Sequence, residues 1–126
     1  MSGIQKEYRA VHRYAGIGAR KARLVVDLIR GRTVNQALAD LEHDKHRAAP
    51  MVRKVLASAV ANALQDGSVR ASRLVVSGAW VNQGPLLQGR TRFRPGPMGR
   101  AMPFRRTTCH IHVSVADGEA AATQES

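Results

Sequence analysis

Three residues near the end of the chain, Cys109, His110 and His112, are of the types that bind zinc. They lie in residues 107–115, whose alternating pattern predicts a β-strand. Successive side chains of a strand point to opposite faces, so Cys109 points away from both histidines. A second pair, His43 and His46, stands three residues apart, but the sequence holds neither a CxxC nor an HExxH motif. We therefore predict no metal site and assign these residues to the core and the surface.

The patterns used by catalytic sites are also missing from the sequence. No serine lies in a nucleophile-elbow sequence, and MGRA at residues 98–101 is too short a glycine pattern for a phosphate-binding loop. No paired-carboxylate motif is present for acid–base catalysis. We therefore predict that the protein is not an enzyme, has no catalytic residue and needs no cofactor.

The charge of the chain points instead to a polyanionic partner. The 126 residues include 20 Lys and Arg against 9 Asp and Glu, a net charge of +11, and Arg outnumbers Lys sixteen to four. The planar guanidinium suits phosphate and nucleobases. No stretch approaches the ~20 apolar residues of a membrane span, and a single cysteine fits a reducing compartment.

The positive charge is concentrated in one segment. Residues 84–116 contain six arginines and no acid, and no acidic residue lies between Asp66 and Asp117. A long segment of one sign is either a disordered arm or a surface that meets a polyanion. The last residues, 117–126, are acidic, and we predict that 118–126 form a disordered tail behind a single domain at 1–117.

The first predicted helix covers residues 19–30 and ends at Gly31. Its apolar face consists of Ala22, Val25, Val26 and Ile29. Its polar stripe is either an ordinary solvated face or a contact to phosphate, and Arg23 and Asp27 are spaced to form an ion pair within it. The stripe consists of Arg20, Arg23, Asp27 and Arg30.

Two further helices follow. Thr33 and Gln36 form a capping box before a short helix at 34–42. Asp44 is a candidate cap for a third helix that runs to about Asp66. Pro50 predicts a kink or a later start of this helix.

The hydrophobic period then changes to that of strands. Residues 5–14 predict an edge strand, 72–83 a second strand, and 107–115 a third that alternates cleanly. Together these elements predict an α+β fold, with three helices packed on a small antiparallel sheet.

Residues 84–106 form either a simple disordered loop or a long protruding β-hairpin with its tip near Pro95–Gly99. The hairpin fits better, because strands lead into and out of this segment rich in Gly and Pro. The segment has too few apolar residues to bury itself, so a partner must order it. Phe93 and Phe104 either stack on bases or pack across the hairpin.

Several separate motifs resemble one family, the bacterial large-subunit ribosomal proteins of the L22 family. The motifs are ARKARLVVDLIRGR at 19–32, NQALADL at 35–41, AAPMVRKVLASAVANA at 48–63, VNQGP at 81–85 and MGRAMPFRRTTCHIHVSV at 98–115. The resemblance implies a cytoplasmic protein of the large ribosomal subunit, which binds large-subunit ribosomal RNA and assists early assembly. It also implies neighbouring ribosomal proteins as partners, no membrane contact, and a hairpin that lines the exit tunnel of the nascent polypeptide.

Resemblance and charge together select the site residues. The predicted ribosomal RNA contacts are Arg9, Arg13, Arg20, Lys21, Arg23, Arg30, Arg32, Arg90, Arg92, Arg94, Arg100, Arg105 and Arg106. The predicted tunnel-lining tip comprises Arg94, Pro95, Gly96, Pro97, Met98, Gly99 and Arg100. Gly96 and Pro97 stand where the family usually has Arg and Ala.

One alternative is a free-standing basic regulator that uses helices 19–30 and 34–42 as a helix-turn-helix. Such a motif needs base-reading side chains on its second helix. The sequence VNQALADLE contains no Arg or Lys, which counts against the regulator.

Overall fold

The computed structural model describes residues 7–67, 69–86, 92–99, 101–104 and 107–118. Within these ranges lie three helices, α1 (Ala19–Ile29), α2 (Val34–His43) and α3 (Ala49–Leu64). The strands are β1 (Glu7–Ala15), β2 (Leu74–Leu86), β3 (Arg92–Pro95), β4 (Ala101–Phe104) and β5 (Thr107–Asp117). The predicted α+β class is confirmed.

The main sheet is antiparallel with strand order β1-β5-β2, so the cleanly alternating strand β5 is central. Both neighbours pair with it in register at His112, which lies opposite Val11 of β1 and Trp80 of β2. As predicted, β1 is an edge strand. The second edge strand, β2, extends to Leu86, beyond its predicted end.

One face of this sheet packs against the helices and forms an aliphatic core. Cys109, Ile111, Val113 and Val115 of β5 are fully buried there, and so are the four residues of the predicted apolar face of α1. Thr108 and Ser114 point to the other face and are buried as well. Their hydroxyls donate to the carbonyl oxygens of Pro85 and Gly78, at 2.6 and 3.3 Å. Both buried hydroxyls are therefore hydrogen-bonded to β2.

The connection from α1 to α2 is hydrogen-bonded to β2. Gly31 has the left-handed φ of 81° that favours glycine, and its N–H donates to the carbonyl of Val76 at 3.1 Å. Val76 N–H donates in turn to the carbonyl of Arg32 at 2.8 Å. Thr33 then caps α2 as predicted, since its hydroxyl accepts from the N–H of Gln36 at 3.4 Å.

The predicted cap at Asp44 is wrong, because α3 begins at Ala49 and Pro50 occupies its first turn. Proline has no N–H to donate and is tolerated in the first turn of a helix, so of the kink and the later start that Pro50 predicted, the later start is the one observed. The Asp44 carboxylate instead accepts from the N–H and the ring of His46, at 2.8 and 2.5 Å. These bonds shape the turn before α3.

Strands β3 and β4 form the hairpin end, with Pro95 opposite Ala101. A tight turn at Pro97–Gly99 follows β3, and both Met98 and Gly99 are left-handed, with φ of 56° and 76°. This places the tip where the sequence predicts it. The limbs at 87–91 and 105–106, residue 100, and the predicted tail from 119 onward lie outside the described residues, as do the side chains of Phe93 and Phe104.

Candidate nucleic-acid interface

The first turn of α1 presents two exposed cations, Arg20 and Lys21. Among the described residues no hydrogen bond or ion pair engages either side chain. The turn contains no acidic residue, and its N-cap, Gly18, supplies no side-chain hydrogen bond. Unpaired N–H groups at a helix start favour an anion, so this turn is suited to a phosphate group.

Further along the chain, Arg23 of α1 and Arg30, which directly follows α1, hold the helix to the edge of the sheet. The Arg23 guanidinium donates to the carbonyl oxygen of Val81 at 3.3 and 3.0 Å, and that of Arg30 donates to Ala79 at 3.1 and 2.7 Å. Because β2 is an edge strand, its outward carbonyls have no strand partner, and the two arginines satisfy them. Both remain predicted RNA contacts, but each has a structural role.

The predicted ion pair between Arg23 and Asp27 is wrong, because the Arg23 guanidinium donates to the carbonyl of Val81 instead. Arg23 is directed to the sheet edge, and Asp27 pairs instead with Arg30, whose Nη1 lies 2.8 Å from its carboxylate. Arg32, just beyond α1, is likewise partly engaged, since its Nη1 lies 2.8 Å from the Asp40 carboxylate. Both pairs are exposed and weakly stabilising.

Arg9 and Arg13 lie on the opposite side of the sheet from the helices. The alternation of β1 turns Tyr8 and Ala10 toward the core and leaves Arg9 and Arg13 exposed on the outer face. The Arg9 guanidinium carbon lies 6.0 Å from the centre of the Trp80 ring. The predicted contacts therefore do not gather into one patch but occupy both sides of the domain.

Six of the predicted RNA contacts belong to the hairpin segment, and the structure describes the backbone of two of them. Arg92 and Arg94 lie on β3, opposite Phe104 and Met102 of β4. Arg90, Arg100, Arg105 and Arg106 lie outside the described residues. At the turn, the side chain of Met98 is almost fully exposed.

The cysteine and the histidines take the places that strand alternation predicts. Cys109 is fully buried, and burial raises the pKa of its thiol, with the nearby Arg23 charge acting in the opposite direction. His110 and His112 lie on the outer face beside Trp80 and Tyr14. Within the described ranges no three His, Cys, Asp or Glu side chains are grouped to hold a metal ion.

Sequence reasoning missed this outer aromatic cluster. It located the alternating histidines but treated Trp80 only as part of a strand. The signal that was needed is the pairing of β2 with β5, which sets Trp80 opposite His112 on one face of the sheet. No helix in the described part of the chain has the length and apolar character needed to cross a membrane.

Comparison with known proteins identifies the family. The model of the family described as ribosomal protein L22p/L17e matches residues 10–116. This chain belongs to the L22p/L17e family. The resemblance predicted from its motifs is thereby confirmed, and as a ribosomal protein it is structural rather than catalytic.

Individual relatives agree with the L22p/L17e assignment. The chain is 50% identical over 104 residues to the large ribosomal subunit protein uL22 of Lacticaseibacillus casei (strain BL23). It is equally similar to the protein of that name from Lacticaseibacillus paracasei (strain ATCC 334). The alignment covers 82% of this chain and 86% of each relative.

Proposed function

We infer that this protein is a structural constituent of the large subunit of the cytoplasmic ribosome, where it binds large-subunit ribosomal RNA. The observation that carries the inference is the family match over residues 10–116, in a chain with a net charge of +11. Ribosomal RNA is recognised largely through phosphates, 2′-hydroxyls and unpaired bases, which arginine suits. The family membership argues against a free-standing regulator.

The first turn of α1 supports this inference at the level of single residues. Arg20 and Lys21 are exposed on a helix start without an acidic neighbour in the turn. Arg23 and Arg30, in contrast, use guanidinium donors on β2 carbonyls. We expect Arg20 and Lys21 to contribute more to RNA affinity on this helix than Arg23 and Arg30 do.

The finer role of the hairpin is also a proposal. We propose that its tip, residues 94–100, lines the exit tunnel and contacts the nascent polypeptide, while the domain at 1–117 contacts RNA and neighbouring proteins and assists early assembly. The resemblance supports this role. The tight left-handed turn at Met98 and Gly99 supports it as well, because it gives the hairpin a narrow end.

A competition experiment tests the RNA-binding function directly. Full-length protein is bound to labelled large-subunit ribosomal RNA at moderate salt, and unlabelled large-subunit or small-subunit RNA is added in equal mass. We expect large-subunit RNA to compete more strongly. Arg20→Gln/Lys21→Gln should weaken binding, and Leu24→Ala, at a neighbouring exposed position, is the matched control. Equal competition by the two RNAs would contradict specific binding.

A further inference from the structure

The outer face of the main sheet carries a cluster of aromatic and basic side chains that the helices do not cover. Across the three strands, Val11, His112 and Trp80 stand side by side in one register. Val11 is 41% exposed and Trp80 is 37% exposed. Single exposed apolar residues are ordinary on a protein surface, whereas apolar side chains that adjoin one another on a sheet face indicate a binding surface.

The indole of Trp80 packs against the imidazole of His112 on the neighbouring strand. Its ring is nearly parallel to that of His112, with an interplanar angle of 8° and centroids 5.1 Å apart. Asn82 Nδ2 lies 3.3 Å from His112 Nε2, which fixes the imidazole in turn. A Cβ at Gly78 would lie only 3.0 Å from Ser114 Oγ and in ordinary van der Waals contact with the indole, at 3.4 Å, so the indole lies directly beside the glycine.

Tyr14 joins the same face through an irregularity of β1. The register of β1 against β5 shifts between His12 and Ala15, and Tyr14 adopts a left-handed φ of 57°, which costs free energy in a bulky residue. Its N–H donates to His110 Nδ1 at 3.0 Å, and its ring meets the imidazole edge to face at 4.9 Å. The bulge therefore holds an exposed tyrosine beside the histidines.

The charge of the face matches a polyanion. Arg9 lies over Trp80, and Arg13 lines a shallow groove of about 260 Å³ whose other walls include Tyr14, Asn82 and His110. Glu7, at the start of β1, is the one acid of that strand and lies 3.6 Å from Arg9 Nη2, and β2 contains no acid. Burial and the charges of His110, Arg13 and Arg9 lower the pKa of His112, as expected in a positive field.

We propose that the outer face, defined by Arg9, Arg13, Tyr14, Trp80, His110 and His112, binds an unpaired RNA segment whose bases stack on Trp80 and Tyr14. The two arginines contact the flanking phosphates, and the Asn82 amide faces the base edges. Aromatic side chains on a sheet are a general platform for unstacked bases. A protein partner would have to pair both guanidinium groups with acids, whereas RNA supplies an anion beside every base. This proposal rests on the proposed RNA-binding function and names one of its sites.

Trp80 is the only tryptophan of the chain, so its fluorescence reports on this face alone. Full-length protein is titrated with single-stranded oligouridylate and oligoadenylate, and with an abasic oligonucleotide that has the same number of phosphates. Stacking predicts quenching by the two base-containing strands and little quenching by the abasic strand, even where it binds. Equal quenching by all three would overturn the proposal, because it would mean that phosphate contact alone is sensed.

Variants supply a second readout. Trp80→Leu should weaken binding of labelled oligoadenylate at least about fivefold, the lower end of what one stacked base contributes. Trp80→Phe keeps an aromatic face and should stay within about twofold. Leu64→Ala changes an exposed residue of α3 and is the matched control. Unchanged affinity of Trp80→Leu, with native circular dichroism, would overturn the proposal.

The occupant in the ribosome is tested by photo-cross-linking of purified large subunits, with mass spectrometry of the peptides that contain Tyr14, Trp80 or His112. A nucleotide adduct on these peptides supports the proposal, whereas a cross-link to a neighbouring protein alone overturns it. Failure of wild-type protein to bind ribosomal RNA would contradict the proposed function as a whole. Normal binding of ribosomal RNA without quenching of Trp80 fluorescence would contradict only the proposal that bases stack on the outer face.

Discussion

Arg30, the residue that follows α1, and Ala79 of β2 are joined by two hydrogen bonds, in which Nε and Nη2 of the guanidinium donate to one carbonyl oxygen at 3.1 and 2.7 Å. Arg23 makes the same contact with Val81, two residues further along the strand. These contacts separate two classes of basic residue along α1 and at its C-terminal end. Arg23 and Arg30 tie the helix to an edge strand, and Arg20 with Lys21 faces solvent.

Loss of the Arg30 contact should destabilise the fold. Arg30→Gln should lower the free energy of unfolding by about 1 kcal/mol, which is below the range for charged hydrogen bonds because the side chain is 49% exposed. Arg20→Gln should change it by less than about 0.5 kcal/mol. Urea unfolding followed by circular dichroism measures both. Equal destabilisation by the two substitutions would contradict the division of roles.

The salt dependence of RNA binding should identify the phosphate contacts. Affinity of the full chain for large-subunit RNA should fall steeply as salt rises. Arg20→Gln/Lys21→Gln should reduce the slope of log affinity against log salt by about 2, roughly one for each lost phosphate contact. Leu24→Ala should leave the slope unchanged. A slope unaffected by the double substitution would exclude the first turn of α1 from the interface.

Deletion of Pro95–Arg100 should leave incorporation into large subunits mostly intact, because the remaining contacts are spread over the whole chain. It should alter tunnel-related behaviour instead, such as the response to macrolides or to stalling nascent peptides. Arg20→Gln/Lys21→Gln should reduce incorporation more than the deletion does. The measurement is occupancy of purified large subunits in competition with wild-type protein. If the tip deletion lowered occupancy and the double substitution did not, the tip rather than the first turn of α1 would hold the protein on the subunit.

Cys109 should be unreactive in the folded protein. It is fully buried, and burial raises the pKa of its thiol, so little reactive thiolate is available. A thiol reagent should modify native protein at least about a hundredfold more slowly than protein in denaturant, since reaction requires opening of the core. The chain has no other cysteine, so the reaction measures this site alone. Comparable rates in the two states would contradict a closed core around β5.

His112 should make stability pH-dependent. Burial, together with His110, Arg13 and Arg9, lowers its pKa from the ordinary value of about 6.5, while Trp80, Asn82 and Val11 pack beside it as uncharged neighbours. The unfolded chain then binds the proton more tightly, so stability falls as pH drops from about 7.5 through 6.5 toward the folded pKa.

His112→Gln should flatten this dependence in unfolding measured above about pH 5. The pKa of Asp44 is lowered by its hydrogen bond from the His46 N–H, with burial opposing. Its stabilising effect is therefore lost only at more acid pH, as the pH falls below the ordinary carboxyl value of about 3.9. An unchanged pH profile in His112→Gln would show that His112 does not cause the dependence.

The sequence predicted most of the fold because its signals were local. The period of α1 located a buried face that the structure confirms at Ala22, Val25, Val26 and Ile29. Alternation in β5 separated Cys109 from His110 and His112. The Asp44 cap failed because two local signals competed, and the requirement of Pro50 for a first-turn position prevailed.

The interface was less accessible to sequence reasoning because it depends on pairing between distant segments. Arg23 looked like a partner of Asp27 at helical spacing, but the carbonyl of Val81 lies 58 residues away in sequence. Trp80 and His112 are separated by 32 positions and meet only through the register of β2 with β5. Charge predicted Arg9 as an RNA contact, but it did not indicate that the guanidinium lies over the Trp80 indole.

Occupancy of salt-washed large subunits tests the central claim most directly. Ribosomal subunits from cells that express the chain are separated after a high-salt wash, and quantitative mass spectrometry measures the chain against subunit RNA. A structural constituent should remain on large subunits in a near-equimolar ratio and be nearly absent from small subunits and the free fraction. Recovery mainly in the free fraction, or equally on both subunits, would contradict the assignment.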